Sequence, residues 1–234
     1  MKMPLLLLPG LLTDERLFEH QVRHLSDVAQ PVVADLTGAD TIAALASAAI
    51  AIMPAGRFAV SGLSMGGYVA LEIARRVPER LVAIALLNTN ARPDSPEATG
   101  NRRRLIALAE RDFASVNAAL VPKLLHPEHQ ADIRLVKLLD DMANAIGLER
   151  FKRQQAAIIG RADSRPGLGA IRVPAMVLAA REDAIMPMEV SEEMARGIQG
   201  ARHEVVEHCG HVSSIEQPEA VTARLRAWIQ SAAG

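Results

Sequence analysis

Six short apolar runs, most of them separated by helical patterns, are the feature that most restricts the fold of this chain. The runs cover residues 5–8, 31–35, 58–61, 81–87, 174–180 and 204–206 and are bounded by Pro, Gly or Asp. Two of them, at 83–87 and 175–178, are apolar at successive rather than alternate positions, which is typical of strands covered on both faces. We therefore predict an α/β fold that is doubly wound around a mostly parallel sheet.

The alternation of strands and helices stops between residues 93 and 169. Prolines and glycines border this stretch, and its apolar residues recur at helical spacing, as at Leu105, Leu108 and Ala109. We predict an all-helical insertion at 93–169 that lies on a core built from residues 1–92 and 170–234. The length of 234 residues fits one large domain.

The composition argues against several classes of protein. Half of the residues are hydrophobic, and the 26 Lys and Arg residues are nearly balanced by 27 Asp and Glu residues. The chain can therefore bury a core and is not expected to be disordered. The longest basic block has three arginines, at 102–104, and aromatic residues make up only 3% of the chain, so we expect no nucleic-acid partner. No run of 18 apolar residues occurs, so we expect no membrane-spanning helix.

A single cysteine, Cys209, excludes an intrachain disulfide and a cysteine-based metal cluster. The apolar run at residues 5–8 is interrupted by Pro9 and Gly10 and lacks a small-residue cleavage site, so we interpret it as a buried strand and not as a signal peptide. We predict a cytoplasmic protein, in which Cys209 is a small buried residue.

Residues 62–66 form the pattern G-x-S-x-G between an apolar strand and a helical pattern. This context is typical of a nucleophile elbow, a strained turn that exposes a serine hydroxyl, with small residues that let the strand and the helix approach closely. We predict that Ser64 is a catalytic nucleophile. The structural alternative is that Ser64 only caps the following helix.

A serine hydroxyl needs a base and a carboxylate, which are expected later in the chain in the order acid, then histidine. Asp183 follows the apolar run at 174–180 and His211 follows the one at 204–206, before the C-terminal helical pattern. We predict Asp183 as the acid and His211 as the base. Asp183 could instead be an ordinary turn residue, and Glu182 would then be the nearest substitute.

The other six histidines form three pairs: His20 and His24, His126 and His129, and His203 and His208. The last pair is five residues apart, whereas the zinc-protease motif places its histidines four apart on a helix. No third ligand is indicated for the other two pairs, which we interpret as lying on solvated helix faces. We predict no metal site and no cofactor.

Ester chemistry also needs two N–H groups that stabilise an oxyanion. One is predicted at Met65, directly after Ser64, and the other at Leu11, in the loop after the first strand. The alternative for that loop is a turn that simply uses Gly10.

The chain resembles the α/β-hydrolase superfamily, of the small type with a helical cap, and is similar to carboxylesterases such as the pimeloyl carrier-protein methyl ester esterases and to enol-lactonases. The resemblance rests on the sequences Leu-Pro-Gly at 8–10, Gly-Leu-Ser-Met-Gly-Gly at 62–67, Arg-Glu-Asp at 181–183, and Gly-His with Glu-Gln-Pro within 210–218. Two features differ from the family: Pro9 stands where its members usually have His, and N-terminal antiparallel strands are not expected.

The resemblance implies a metal-independent serine hydrolase that cleaves a small or medium carboxylic ester, thioester or lactone through an acyl-enzyme. Its partner would be a small-molecule acyl substrate. A carbon–carbon bond hydrolase or a cofactor-free peroxidase-like enzyme would use the same residues, and a ligand-binding, receptor-like protein is an alternative of another class. The sequence leaves the substrate and the oligomeric state open.

Specificity is expected to reside mainly in the helical insertion. Its candidate pocket residues are Phe113, Leu120, Leu124, Leu125, Met142, Ile146 and Phe151.

Overall fold

The computed structural model describes residues 2–232 and contains a six-stranded parallel sheet. The strands are β1 (Met3–Leu8), β2 (Ala29–Val33), β3 (Phe58–Leu63), β4 (Leu81–Leu87), β5 (Ala175–Ala180) and β6 (Arg202–Val206). Their order across the sheet is β2-β1-β3-β4-β5-β6. The prediction of a doubly wound α/β fold is confirmed, and all the pairings among the described residues are parallel.

Nine α-helices surround the sheet in the described part of the chain. They are α1 (Glu19–Leu25), α2 (Ile42–Ala51), α3 (Met65–Arg76), α4 (Pro96–Ala109), α5 (Phe113–Leu124), α6 (Ile133–Ile159), α7 (Met188–Gly197), α8 (Ser213–Glu216) and α9 (Pro218–Ala232). Short 3₁₀ helices cover Glu15–Phe18, Pro78–Arg80, Pro127–His129 and Arg165–Ala170.

Each face of the sheet buries its own apolar cluster, because successive side chains of a strand point to opposite faces. On β1, Leu6 and Leu8 pack with residues of α2, α3 and α7. Leu5 and Leu7 pack on the other face, with residues of α1 and α9. Helices on both faces explain why these strands are apolar at consecutive positions.

Helices α4, α5 and α6 lie between β4 and β5 in the chain, within the segment predicted as a helical insertion. They share a third apolar cluster that includes Val116, Ile146 and Phe151. Helix α6 is interrupted at Gly147, whose φ of 72° and ψ of 172° lie in a region that only glycine adopts without strain. The boundaries of this unit, at residues 92/93 and 169/170, stay a prediction.

Gln154 of α6, which is fully buried, joins the insertion to the sheet. Its Oε1 accepts the N–H of Leu12, in the loop after β1, at 3.1 Å, and its Nε2 donates to Leu36 O, after β2, at 3.2 Å. The insertion is therefore fixed over the carboxyl ends of the strands. Of the helices in residues 2–232, none combines the length and the apolar character needed to span a bilayer.

Candidate active site

Ser64 lies in the turn between β3 and α3, with φ of 55° and ψ of −116°. Positive φ is rare for a residue with a side chain, and such strain persists only where the surroundings enforce it. Here the Ser64 N–H donates to Leu87 O at 3.0 Å, and Ser64 O accepts from the Thr89 hydroxyl at 2.8 Å and from Gly67 N–H at 2.9 Å. The Ser64 side chain makes no helix-capping bond, so the capping alternative is wrong.

The glycines of the G-x-S-x-G pattern are required by the closeness of the backbone around this turn. A Cβ added to Gly62 would lie 2.2 Å from Gly66 O, and one added to Gly66 would lie 1.9 Å from Leu8 O. Neither contact can be relieved by rotating a side chain, since both involve backbone atoms. The sequence pattern therefore reflects the packing of α3 against β1 and β3.

His211 connects Ser64 to Asp183. Its Nε2 lies 2.8 Å from Ser64 Oγ, and its Nδ1 lies 2.8 Å from Asp183 Oδ2 and 3.0 Å from Oδ1. Because an ionised carboxylate only accepts hydrogen bonds, Nδ1 must be the donor, and in the neutral ring Nε2 is then free to accept the hydroxyl proton of Ser64. The structure thus brings the three predicted residues together.

Asp183 follows β5 and is buried. Burial raises the pKa of its carboxyl group, but His211, Asn88 and the Met186 N–H together outweigh this and hold the pKa below the usual range. The N–H groups of Ile185 and Met186 each donate to Oδ1 at 2.9 Å. The carboxylate is therefore ionised and fixed in orientation.

Asn88 is a site residue that the sequence analysis missed. It follows β4, has a φ of 46° and is buried. Its Nδ2 donates to Asp183 Oδ2 at 3.0 Å, and its Oδ1 accepts from the Ser213 hydroxyl at 2.6 Å. The available signal was an asparagine at the carboxyl end of a strand, since asparagine tolerates positive φ and this edge of an α/β sheet collects functional groups.

The loop after β1 lies next to Ser64, because a Cβ added to Gly10 would be 3.4 Å from Ser64 Cβ. Leu12 N–H is already bonded to Gln154, whereas Leu11 N–H has no hydrogen-bond acceptor among residues 2–232. Met65 N–H is at the first position of α3, where helix geometry provides no acceptor. Both groups predicted for the oxyanion are thus free to donate.

Glu182, the substitute considered for Asp183, and the neighbouring Cys209 lie outside this chain of hydrogen bonds. Glu182 Oε2 accepts the Cys209 N–H at 3.0 Å, and the hydrogen bonds of the His211 ring involve Asp183 and Ser64. Cys209 is fully buried, and burial, together with nearby carboxylates, raises the pKa of its thiol. A thiol that keeps its proton is a poor nucleophile.

A second buried carboxylate, Glu216, joins the His211 loop to the insertion. Its Oε1 accepts Gly210 N–H at 2.9 Å, while its Oε2 accepts His126 N–H at 2.7 Å and lies 2.9 Å from His129 Nδ1. Leu124 O, at the end of α5, also accepts the His211 N–H at 2.8 Å. The insertion therefore bonds directly to the backbone of the histidine, and Glu216 links the residue before the histidine to the insertion.

This contact corrects the interpretation of two histidines. His126 was expected on a solvated face, but it is buried because its backbone is bonded to Glu216 and packed against Gly210. His129 is partly buried, and its side chain contacts the same carboxylate. No group of three His, Cys, Asp or Glu side chains in residues 2–232 is arranged to hold a metal ion.

Ser64 and His211 open onto a cavity of about 640 Å³ between the sheet and the insertion. Of the seven insertion residues proposed for its wall, Leu120 and Leu124 line it, joined by Leu105 and Leu108 of α4. The other five pack elsewhere: Phe113, Leu125, Met142, Ile146 and Phe151. The cavity also has charged wall residues, which the sequence analysis did not anticipate.

This arrangement can activate a hydroxyl group. A neutral histidine can accept the proton of Ser64 Oγ, and the adjacent carboxylate can stabilise the resulting imidazolium. The N–H groups of Leu11 and Met65 are available to donate to an oxyanion. An acyl group could occupy the cavity while this happens.

Known proteins share both the sequence and the fold. The family model for the alpha/beta hydrolase fold matches residues 3–218. A pimeloyl-[acyl-carrier protein] methyl ester esterase of Neisseria meningitidis is 30% identical over 178 residues, which cover 73% of this chain and 68% of the relative.

Two solved structures superpose over nearly the whole chain. A thermophilic esterase from Thermogutta terrifontis, solved with malate bound, has a TM-score of 0.90 at 30% identity, covering 99% of this chain and 91% of its own. An enol-lactonase from Burkholderia xenovorans LB400 has a TM-score of 0.89 at 25% identity, covering 98% and 92%. The resemblance noted in the sequence is confirmed, and the chain belongs to the alpha/beta hydrolase fold family.

Proposed function

We propose that this protein is a serine hydrolase that cleaves a small or medium carboxylic ester, thioester or lactone through an acyl-enzyme. The observation that supports this best is the hydrogen-bonded series Ser64, His211 and Asp183 in the wall of a cavity, with 2.8 Å between Ser64 Oγ and His211 Nε2. Ester hydrolysis is also the activity named for the Neisseria and Thermogutta proteins, which supports the proposal.

In the first half-reaction Ser64 Oγ bonds to the carbonyl carbon while His211 Nε2 takes the hydroxyl proton. The resulting oxyanion accepts hydrogen bonds from the Leu11 and Met65 N–H groups. The oxyanion then re-forms the carbonyl while the bond from carbon to the leaving atom, oxygen in an ester and sulfur in a thioester, breaks, and His211 gives its proton to the departing atom. Asp183 keeps the imidazole in the required tautomer and stabilises its cationic form.

In the second half-reaction water replaces the leaving group. His211 takes a proton from the water, whose oxygen bonds to the acyl carbon, and the proton returns to Ser64 Oγ as the acyl–serine bond breaks. Each step uses only groups of this chain, the substrate and water. No metal or organic cofactor enters the scheme.

The helical insertion 93–169 acts in this proposal as a cap. Its apolar side chains Leu105, Leu108, Leu120 and Leu124 face the cavity that Ser64 opens onto. They would contact the acyl group, whose length they limit, since each buried methylene contributes about 0.8 kcal/mol. The proposed substrate is therefore a small molecule. We also propose that the protein is cytoplasmic.

The test is covalent labelling of Ser64 with a fluorophosphonate, located by mass spectrometry, followed by a panel of 4-nitrophenyl esters and lactones assayed with and without EDTA. We expect the label on Ser64, hydrolysis of short esters and no effect of the chelator. Labelling without turnover of any ester or lactone would favour a carbon–carbon bond hydrolase or a binding protein instead. Loss of activity that one divalent metal restores would contradict the serine mechanism.

A further inference from the structure

The wall of the Ser64 cavity is strongly cationic, although the chain as a whole has a net charge of −1. Its charged members, apart from His211, are one carboxylate and four basic side chains: Asp94, Arg102, Arg104, Lys123 and Arg161. A concave surface with one sign of charge concentrates ligands of the opposite sign. The expected ligand of such a cavity is an anion.

Two of these cations are held inside the protein by Asp94. The Asp94 side chain is 1% exposed and that of Arg161 is 7% exposed, and they are joined at 2.6 Å, while Arg102 Nε lies 3.2 Å from the same Asp94 oxygen. The remaining Asp94 oxygen accepts from the Thr99 hydroxyl at 2.8 Å. One carboxylate thus balances two guanidinium groups, which leaves a partly buried excess of one positive charge.

Gln155 adds a donor that has no acceptor. It is fully buried in the cavity wall, and its Oε1 accepts from Arg102 Nη1 at 3.1 Å. Because arginine can only donate, the oxygen of the amide must face Arg102, and the orientation of the amide is therefore determined. Gln155 Nε2 then has no hydrogen-bond partner among residues 2–232, which is costly for a buried group.

Arg161 lies against the helix that follows Ser64. Tyr68 is one turn along α3 from Ser64, and the Arg161 guanidinium carbon lies 4.5 Å from the centroid of its ring. The Nη2 groups of Arg102 and Arg161 also have no acceptor within residues 2–232. We name the group Asp94, Arg102, Gln155 and Arg161 the charged wall.

We propose that the charged wall binds a carboxylate group of the substrate, so that the natural substrate is a monoester of a dicarboxylic acid. A planar carboxylate matches the guanidinium fork of Arg102, which lies beside the unpaired Gln155 Nε2. It would neutralise the excess positive charge. This inference rests on the proposed function and specifies its substrate.

The first experiment measures kcat/KM for the monomethyl esters of succinic, glutaric and adipic acids. Each is compared with the neutral methyl ester in which a terminal methyl group replaces the carboxylate. For the chain length that fits best, we expect the half-ester to be preferred at least tenfold. Equal kcat/KM values within each matched pair, at every length, would overturn the inference.

The variant that separates the hypotheses is Gln155→Glu. It keeps an oxygen facing Arg102, replaces the free amide donor by an acceptor and cancels the excess positive charge. We expect the preference for the half-ester over the neutral ester to fall at least tenfold. The matched control is Arg103→Gln, which removes an exposed charge from the same helix as Arg102 but outside the cavity wall and is expected to leave the preference unchanged.

If Gln155→Glu folds poorly, as judged by circular dichroism, Arg102→Gln serves instead, since Asp94 retains its ion pair with Arg161. Binding is measured separately by calorimetry on Ser64→Ala with the half-ester and the neutral ester. Tighter binding of the half-ester that disappears in the charged-wall variant supports the inference, and equal binding contradicts it.

These measurements distinguish the two proposals. If wild-type protein hydrolyses neutral esters but neither prefers nor binds the half-esters more tightly, the charged-wall inference is wrong and the proposed function stands. If no ester is hydrolysed while Ser64→Ala still binds half-esters selectively, the proposed function is wrong and the anion site stands.

Discussion

The serine turn and the helical insertion line the same cavity, but their side chains are positioned by different means. Ser64 is oriented by backbone geometry within a few residues, namely a positive φ and close packing at Gly62 and Gly66. The charged wall is assembled from α4, α6 and the segments that flank them, where Asp94 and Arg161 are 67 residues apart. A short motif can specify the first arrangement, whereas the second exists only after the helices pack.

The serine turn and the helical insertion differ in their proposed roles. The residues at the carboxyl ends of the strands would determine whether a bond is broken, and the insertion would determine which molecule is bound. The hydrogen bonds of Glu216 connect the two regions. Substitutions in each region should therefore affect different measured quantities.

Ser64→Ala should produce the largest effect, a loss of kcat of at least about 10³-fold, because it removes the nucleophile and leaves a small side chain in the turn. The midpoint of thermal unfolding should hardly change. The matched control is Ser61→Ala on β3, since Ser61 Oγ is buried without a hydrogen-bond partner in residues 2–232. A Ser64→Ala enzyme with a tenth or more of the wild-type kcat would contradict the assignment.

Asp183→Asn should reduce kcat by about 10²- to 10⁴-fold, because an amide can no longer hold the required tautomer of His211. Glu182→Gln is the control, as Glu182 bonds to the Cys209 N–H and should affect kcat little. Similar losses in the two variants would show that the acid is not Asp183 alone.

The same carboxylate makes stability depend on pH. Because the pKa of Asp183 is lowered in the folded protein, its contribution to stability is complete above the pKa of an unfolded aspartate and is lost as the pH falls through the folded value. The free energy of unfolding, measured with urea from pH 7 down to acid, should fall less steeply in Asp183→Asn. Parallel curves for both proteins would contradict this coupling.

Gly66→Ala should destabilise the protein by at least about 2 kcal/mol, because the new Cβ would collide with the backbone of Leu8. For a chain of this length that corresponds to a fall in the unfolding midpoint of roughly 4–8 °C. Gly38→Ala is the control, since its new Cβ meets no atom within 4 Å. An unchanged midpoint for Gly66→Ala would show that the backbone at this turn has room for a Cβ atom.

Glu216→Gln tests the connection between the two regions. The amide places an N–H₂ group against the backbone N–H of either Gly210 or His126, which should cost about 1–3 kcal/mol of stability. We also expect a lower kcat with an unchanged KM, since the His211 loop loses a support and the cavity wall does not change. Glu219→Gln, on an exposed carboxylate, is the control. A change in KM alone would place the effect in substrate binding.

Leu120→Ala should have the smallest effect, a shift of the preferred acyl chain by a few carbons. Wild-type protein should prefer acyl chains of about C2 to C8, and each methylene that gains or loses contact changes binding by about 0.8 kcal/mol. Leu138→Ala, which is outside the cavity wall, should leave the 4-nitrophenyl ester profile unchanged. A wild-type preference for C12–C16 esters would contradict a wall at Leu120.

Much of the core could be predicted because its signals are local. The strand β4 (Leu81–Leu87) matches the predicted apolar run residue for residue, and G-x-S-x-G marked the turn at Ser64. Asn88 was missed because a lone asparagine after a strand has many roles. His126 was predicted on an exposed face because helical spacing contains no information about Glu216, its partner 90 residues later in the chain.

The sequence alone determined the class of fold, the approximate strand positions and the choice of Ser64, Asp183 and His211 as candidate site residues, because periodicity and turn geometry depend on neighbours in the chain. The tertiary structure decided which polar groups of the insertion meet. Arg102 and Gln155, 53 residues apart, are bonded only because α4 and α6 pack together over the sheet. Burial then makes the unbalanced charge of Arg102 and the unpaired Nε2 of Gln155 costly. In an unfolded chain, water solvates both groups.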